Sequence, residues 1–111
     1  MKALLCKSWG DPETLVLEET ATPAPGDHQV LVRVHAAGVN FPDTLIIRKL
    51  YQFKPALPFS PGGECAGVVE AVGAKVGHFK AGDRVIAFTG WGSFAEFVLA
   101  DAKALMPMPA G

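Results

Sequence analysis

The stretch "HQVLVRVHAAGVN", His28 to Asn40, sets Val30, Val32 and Val34 on one side and Leu31, Arg33 and His35 on the other. A period of two is what an extended strand needs to give its two faces different surroundings. "KALLCK" opens the chain with a short apolar run, and "TLVLEET" places Leu15 and Leu17 opposite Val16 and Glu18; both predict strands. After Gly62 strand patterning returns in "ECAGVVEAVG", "DRVIAF", "SFAEFVLA" and "KALMPMP". Between these runs, "TPAPGD", "AKVGHFKAGD" and "TGWG" supply turns, because proline fixes φ and glycine admits backbone angles closed to other residues.

One segment changes period. In "NFPDTLIIRKLY", Asn40 to Tyr51, Asn40 can cap a helix, Pro42 and Asp43 suit a first turn, and Leu45, Ile46 and Leu50 form an apolar stripe. This predicts one or two helical turns. "QFKPALPFSPGG" follows with three prolines and predicts an ordered but irregular loop. Six or so short strands with one or two short helices make the expected fold mainly β, a partly open β-barrel formed as one domain over residues 1–111. The final "PMPAG", with Pro107, Pro109 and Gly111, reads as a domain boundary.

Composition narrows the class. Half of the 111 residues are hydrophobic, 19% are charged and the net charge is -1, which is the balance of an ordinary soluble globule. The ten Lys and Arg are scattered, so no basic face is expected to neutralise phosphates and no nucleic-acid partner is implied. Apolar runs are too short for a membrane span or a signal segment, and the expected location is cytoplasmic. Cys6 and Cys65 form no CxxC pair, and His28, His35 and His78 have no ligand spacing. Neither a disulfide framework nor a metal site is expected.

The richest stretch is "PFSPGGECAGVVEAVG", where Gly62, Gly63, Gly67 and Gly73 surround Glu64. Such glycines mark either a turn that feeds a strand or a place where backbone must touch something closely.

"AAGVNFPDTL", "PGGECAGVVEAVG", "AGDRV" and "GSFAEF", in this order, resemble the N-terminal domain of the medium-chain dehydrogenase/reductase superfamily. Asn40 with Asp43, and Gly-Gly-Glu in place of Gly-His-Glu, resemble its zinc-independent quinone oxidoreductase branch. The resemblance implies a GroES-like β-barrel on the substrate side of a cleft, followed in the parent enzyme by a Rossmann domain that holds NADPH and makes a homodimer. No GxGxxG follows a strand here: "GWGS", around Trp91, leads into another strand pattern. The Rossmann domain is therefore expected to be absent from this chain, which alone should bind NADPH weakly or not at all.

In zinc-dependent members a cysteine and the histidine of Gly-His-Glu help to hold a catalytic zinc. The matching positions here are Asn40 and Gly63, and Pro42 replaces a hydroxyl that relays protons. What the resemblance implies instead is hydride addition, without metal, to a small electron-poor quinone or enone. Asn40 would contact the cofactor beside the nicotinamide ribose. Tyr51 would be the catalytic hydroxyl, and Phe41, Asp43, Tyr51, Phe59, Gly63 and Trp91 would line the substrate pocket.

Each residue also has a plainer reading. Asn40 can serve as a helix cap, and Asp43 as a structural carboxylate in the first turn. Glu64 reads as a buried ion-pair partner, and Tyr51 as a lid over the barrel's end. Phe41, Phe53, Phe59 and Trp91 form either an aromatic wall or part of the core. Cys65, beside Glu64, is not expected to be an activated thiol. For the whole chain the rival function is a non-enzymatic GroES-like binding or assembly module, and the segment Leu105 to Pro109 is expected to expose apolar surface.

Overall fold

A computed structural model describes residues 1–109. Seven strands form: β1 (Lys2–Leu5), β2 (Val16–Glu19), β3 (Gln29–Ala37), β4 (Glu64–Val72), β5 (Arg84–Phe88), β6 (Phe97–Asp101) and β7 (Leu105–Pro107). One α-helix, α1 (Phe41–Ile46), and two single-turn 3-10 helices complete the set. The main sheet is antiparallel in the order β6-β3-β4-β5-β7, and β1 pairs with β2 in a second, two-stranded sheet. The result is the mainly β architecture that the alternating runs predict, and the partly open, GroES-like form that the family resemblance implies.

Strands β3 and β4, nine residues each, form the spine. Their pairing slips between Leu31 and Val32 and again between Val34 and Ala36. Irregularities of this kind bend the ladder and increase its twist, which curls the sheet around its contents. Inside lie Val30, Val32, Val69 and Val85, each at most 2% exposed, with Cys65, Ala87, Val98, Ala100 and Leu105. Burying each valine side chain contributes roughly 2 kcal/mol against leaving it in water. Gly67 explains how the two long strands approach: a Cβ at that position would overlap the carbonyl oxygen of Arg33 on β3.

The small sheet is joined to the large one along the free edge of β1. Leu4 N–H donates to Phe94 O at 2.8 Å, and Glu96 N–H to Lys2 O at 3.0 Å. Cys6 and Phe59 exchange backbone bonds of 2.7 and 3.1 Å, which pins the proline-rich loop to the end of β1. A second cluster forms there from Cys6, Ile46, Ile47 and Phe59, with Trp9, Leu15 and Tyr51 against it.

Two segments depart from their patterns. The alternation in "TLVLEET" predicts a strand, yet all four residues of β2 are exposed, Leu17 to 68%. Among the described residues its one sheet partner is β1, and neither face is buried by a second layer. "KALMPMP" is not extended throughout: Ala102–Ala104 is a 3-10 turn, because the Asp101 carboxylate accepts the Lys103 N–H at 2.9 Å and caps it. The apolar surface expected beyond it is half present, with Leu105 buried and Met106 46% exposed. Gly111, in the expected domain boundary, lies outside the described residues.

Candidate functional site

The site is built where the helix and the glycine pair face each other. Asn40 is the N-cap of α1, with extended backbone (φ -128, ψ 163), and Pro42 occupies the first turn, where no backbone donor is needed. Asp43, only 7% exposed, turns its carboxylate back so that Oδ2 accepts the Asn40 N–H at 2.8 Å. The Asn40 side chain has a further partner: its Nδ2 donates to Glu64 Oε1 at 3.0 Å. One residue is thus held by two carboxylates, one from the helix and one from the start of β4. Helix α1 stops early, with Lys49 left-handed at φ 61, and Ile46 and Ile47 anchor it in the second cluster.

The opposite wall is backbone. Gly62 has φ 101, and a Cβ there would meet Phe94 Cδ1 at 2.6 Å, so only glycine fits. Gly63 differs. A Cβ on it would lie 3.4 Å from Gly90 O and 4.0 Å from Asp43 Oδ1, within ordinary contact distance. Its carbonyl accepts the N–H groups of Thr89 (2.8 Å) and Gly90 (3.3 Å). The turn beside it is braced by Thr89 Oγ1, which donates to Gly62 O at 3.1 Å and bonds Ser93 Oγ at 2.7 Å. The glycine stretch therefore does both things its composition allows. Gly62 turns the chain into β4, Gly67 admits close backbone approach, and Gly63 leaves an open space.

That space is a cleft of about 220 Å³ lined by Asn40, Asp43, Tyr51, Phe53, Gly63 and Gly90, together with Pro42 and Ile46. The structure thus brings together Asn40, Asp43, Tyr51 and Gly63, which lie up to 23 positions apart in the chain. Three other expected pocket residues are placed elsewhere. Phe41, the first residue of α1, is 73% exposed and is not among the residues that line the cleft. Phe59 is buried in the second cluster against Trp9, with ring centroids 5.8 Å apart, because its backbone pairing with Cys6 fixes it there. Trp91 does not line the cleft but packs its ring 5.8 Å from that of Phe53, which meets Tyr51 edge-on at 5.4 Å. Phe59 and Trp91 instead border a separate, larger groove of about 530 Å³.

Glu64 corrects another expectation. It is half-buried, and its carboxylate serves the Asn40 amide rather than an ion pair among the described residues. Gly90 and Ile46 are lining residues that sequence patterning did not single out. Gly90, with φ 77 in the turn "TGWG", carried a turn signal but none for a cleft. Burial raises the Cys65 thiol above its ordinary pKa, with the Ser93 hydroxyl pulling weakly the other way, so this cysteine is held as the neutral thiol. Among the described residues no three of His, Cys, Asp and Glu gather as metal ligands, and no helix is long and apolar enough to cross a membrane.

Against known proteins, residues 26–110 match the family described as the alcohol dehydrogenase GroES-like domain. The chain is 46% identical to quinone oxidoreductase of Mus musculus, an alignment that covers 98% of this chain and 34% of that protein. It superposes on a quinone oxidoreductase of Pseudomonas syringae pv. Tomato DC3000 with a TM-score of 0.92 and 39% identity, covering 97% of this chain and 33% of the other. For the Escherichia coli quinone oxidoreductase complexed with NADPH the TM-score is 0.91 at 34% identity, over 98% of this chain and 33% of that one. The chain thus spans about a third of the length of the curated relatives it matches, 34% for the mouse protein.

Proposed function

We infer the function from membership: the chain belongs to the alcohol dehydrogenase GroES-like domain family. In our reading it is the substrate-side domain of an NADPH-dependent quinone or enone oxidoreductase that works without zinc, its nucleotide grip supplied by a separate Rossmann domain. The observation that carries this is the pairing of Asn40 and Gly63 across one cleft. These are the two positions at which the family resemblance sets a zinc thiolate and a zinc imidazole. A carboxamide and a hydrogen atom do not make that donor set, so no step is assigned to a metal.

The same residues suit the nicotinamide end of a dinucleotide. A side chain at Gly63 would stand between Gly90 O and Asp43 Oδ1 and fill the cleft, whereas glycine leaves it open to a flat ring. The bound cofactor would supply a hydride, which adds to an electron-poor carbon of the quinone or enone while the nicotinamide is oxidised. Asn40 would hold the sugar edge beside the reacting face. Tyr51, kept edge-on by Phe53, would offer its hydroxyl to the substrate oxygen and donate the proton that completes reduction, recovering one from water. Positioning and charge stabilisation then do the catalytic work.

The test uses a protein in which this chain is joined to a nucleotide-binding domain, assayed for NADPH oxidation with 1,4-naphthoquinone before and after dialysis against a strong chelator. The expected result is turnover that the chelator leaves unchanged. Activity abolished by the chelator and restored by zinc would overturn the metal-free mechanism. No quinone- or enone-dependent oxidation at all would leave the non-enzymatic module as the better reading.

A further inference from the structure

The bond from Asn40 Nδ2 to Glu64 Oε1, 3.0 Å long, decides more than a local contact. A carboxamide can be turned over, exchanging its oxygen for its nitrogen at almost no steric cost. A carboxylate removes that freedom, because it accepts hydrogen bonds and the amide edge facing it must be the NH2. With nitrogen committed to Glu64, the oxygen lies on the α1 side, turned toward the Asp43 N–H of the first helical turn as half of a capping box; a carboxamide oxygen has two lone pairs, so one remains for a donor in the cleft that Asn40 lines.

Glu64 is itself seated by design of the backbone. A Cβ on Gly38 would overlap Glu64 Oε1 and come within 3.2 Å of its Cδ. Gly38 shows no left-handed φ, so space for the carboxylate, rather than conformation, is what the missing side chain provides. The Asn40 backbone is fixed independently by Asp43 Oδ2 at 2.8 Å.

We propose that Glu64 is a positioning residue that fixes the Asn40 carboxamide with its oxygen on the α1 side, so that the lone pair left over from the helix cap selects a ligand group presenting a hydroxyl or N–H donor from the cleft. The inference rests on the reading of Asn40 as a cofactor contact, and deepens it. Gly38 is the third member, acting only by leaving room. Charge-assisted bonds of this kind are stronger than neutral ones, and the group they orient is held before any ligand arrives.

The side-chain amide of Asn40 reports the arrangement directly. In the isotope-labelled 111-residue chain, the hydrogen-bonded Nδ2 proton is expected to exchange with water about tenfold more slowly than a free carboxamide proton. Glu64→Ala should return it to the free rate. Gly38→Ala should do the same without altering either partner, and this variant decides if Glu64→Ala fails to fold. Glu64→Gln, which keeps one acceptor oxygen, should rescue part of the protection. Folded Gly38→Ala and Glu64→Ala chains in which Asn40 exchanges as slowly as before would overturn the proposal.

Reduced nicotinamide mononucleotide at millimolar concentration separates this inference from the reading beneath it. It should shift the Asn40 side-chain resonances in the parent chain and much less in Gly38→Ala. Equal shifts in both would sink the positioning role. Protection lost in the variants as described, but no ligand-induced shift in the parent, would support the Glu64 lock and refute Asn40 as a cofactor contact.

Discussion

The five-stranded sheet and the segment from Asn40 to Gly63 hold their residues in place by different means. In the sheet, position is set by burial: Val30, Val32 and Val85 are fully enclosed, and almost nothing polar interrupts them. In the other region the backbone lacks a sheet ladder apart from the Cys6–Phe59 bridge, and over a small buried support of Ile46, Ile47 and Phe59 the polar side chains are set by discrete bonds, from Asp43 and Glu64 to Asn40 and from Thr89 to Gly62. Burial fixes a side chain by removing it from reach, whereas hydrogen bonds fix it while leaving an edge in solvent. A site for chemistry needs the second kind of order, and it needs the first beside it as a rigid support.

The same substitution should therefore act very differently in the two regions. Gly67→Ala places a methyl group against the Arg33 carbonyl, a backbone atom that cannot step aside without spreading β3 from β4. We expect a loss of about 3 kcal/mol, the upper part of the range for overpacked interiors, read as a large fall in the urea midpoint. A change under a third of that would mean that the two strands are less tightly coupled than their register indicates.

How far each region was legible follows from the same contrast. Period-two patterning marks β4, β5 and β6, which bury alternate side chains, and it marks β3 although Leu31 is buried there beside Val30 and Val32; Asn40-Phe41-Pro42-Asp43 marks a helix start because capping is local chemistry. Leu15 and Leu17 alternate just as well, yet β2 stays exposed, since pattern alone does not say whether a second layer exists to cover a strand. Within the site, Asn40, Asp43, Tyr51 and Gly63 were approachable through family likeness. The Asn40–Glu64 bond, 24 residues apart, was not, because it depends on how β4 returns beside the helix start. The burial of Phe59 in the second cluster was not legible either, because it depends on a backbone pairing with Cys6, at the far end of β1.

The sheet interior also carries a pH signature. Burial raises the Cys65 thiol above its ordinary pKa. A group protonated more firmly in the folded state keeps its full contribution below the unfolded pKa and loses it as pH climbs from there, about 8.5, through the folded value. Stability should be flat in this respect near neutrality and fall on the alkaline side. Cys65→Ala should cost about 1 kcal/mol at neutral pH but lose less than the parent between neutral and alkaline urea titrations. Parallel losses in the two proteins would show that Cys65 ionises as readily in the fold as in the open chain.

The smallest expected effect on stability falls at Gly63. Unlike Gly67, it would bring an added methyl only to 3.4 Å from Gly90 O, and its φ is not left-handed. Gly63→Ala should leave the urea midpoint within about 0.5 kcal/mol of the parent, as surface-type changes do. The methyl would nevertheless project between Gly90 and Asp43, into the 220 Å³ cleft. If the proposed function holds, then in a protein that joins this chain to a nucleotide-binding domain it should raise KM for the quinone several-fold while the fold is untouched. A glycine whose replacement by alanine alters ligand entry but not stability belongs to the site, whereas one that alters both belongs to the scaffold. A clear stability loss at Gly63, with KM unchanged, would move it into the second class and shift the open wall of the cleft elsewhere.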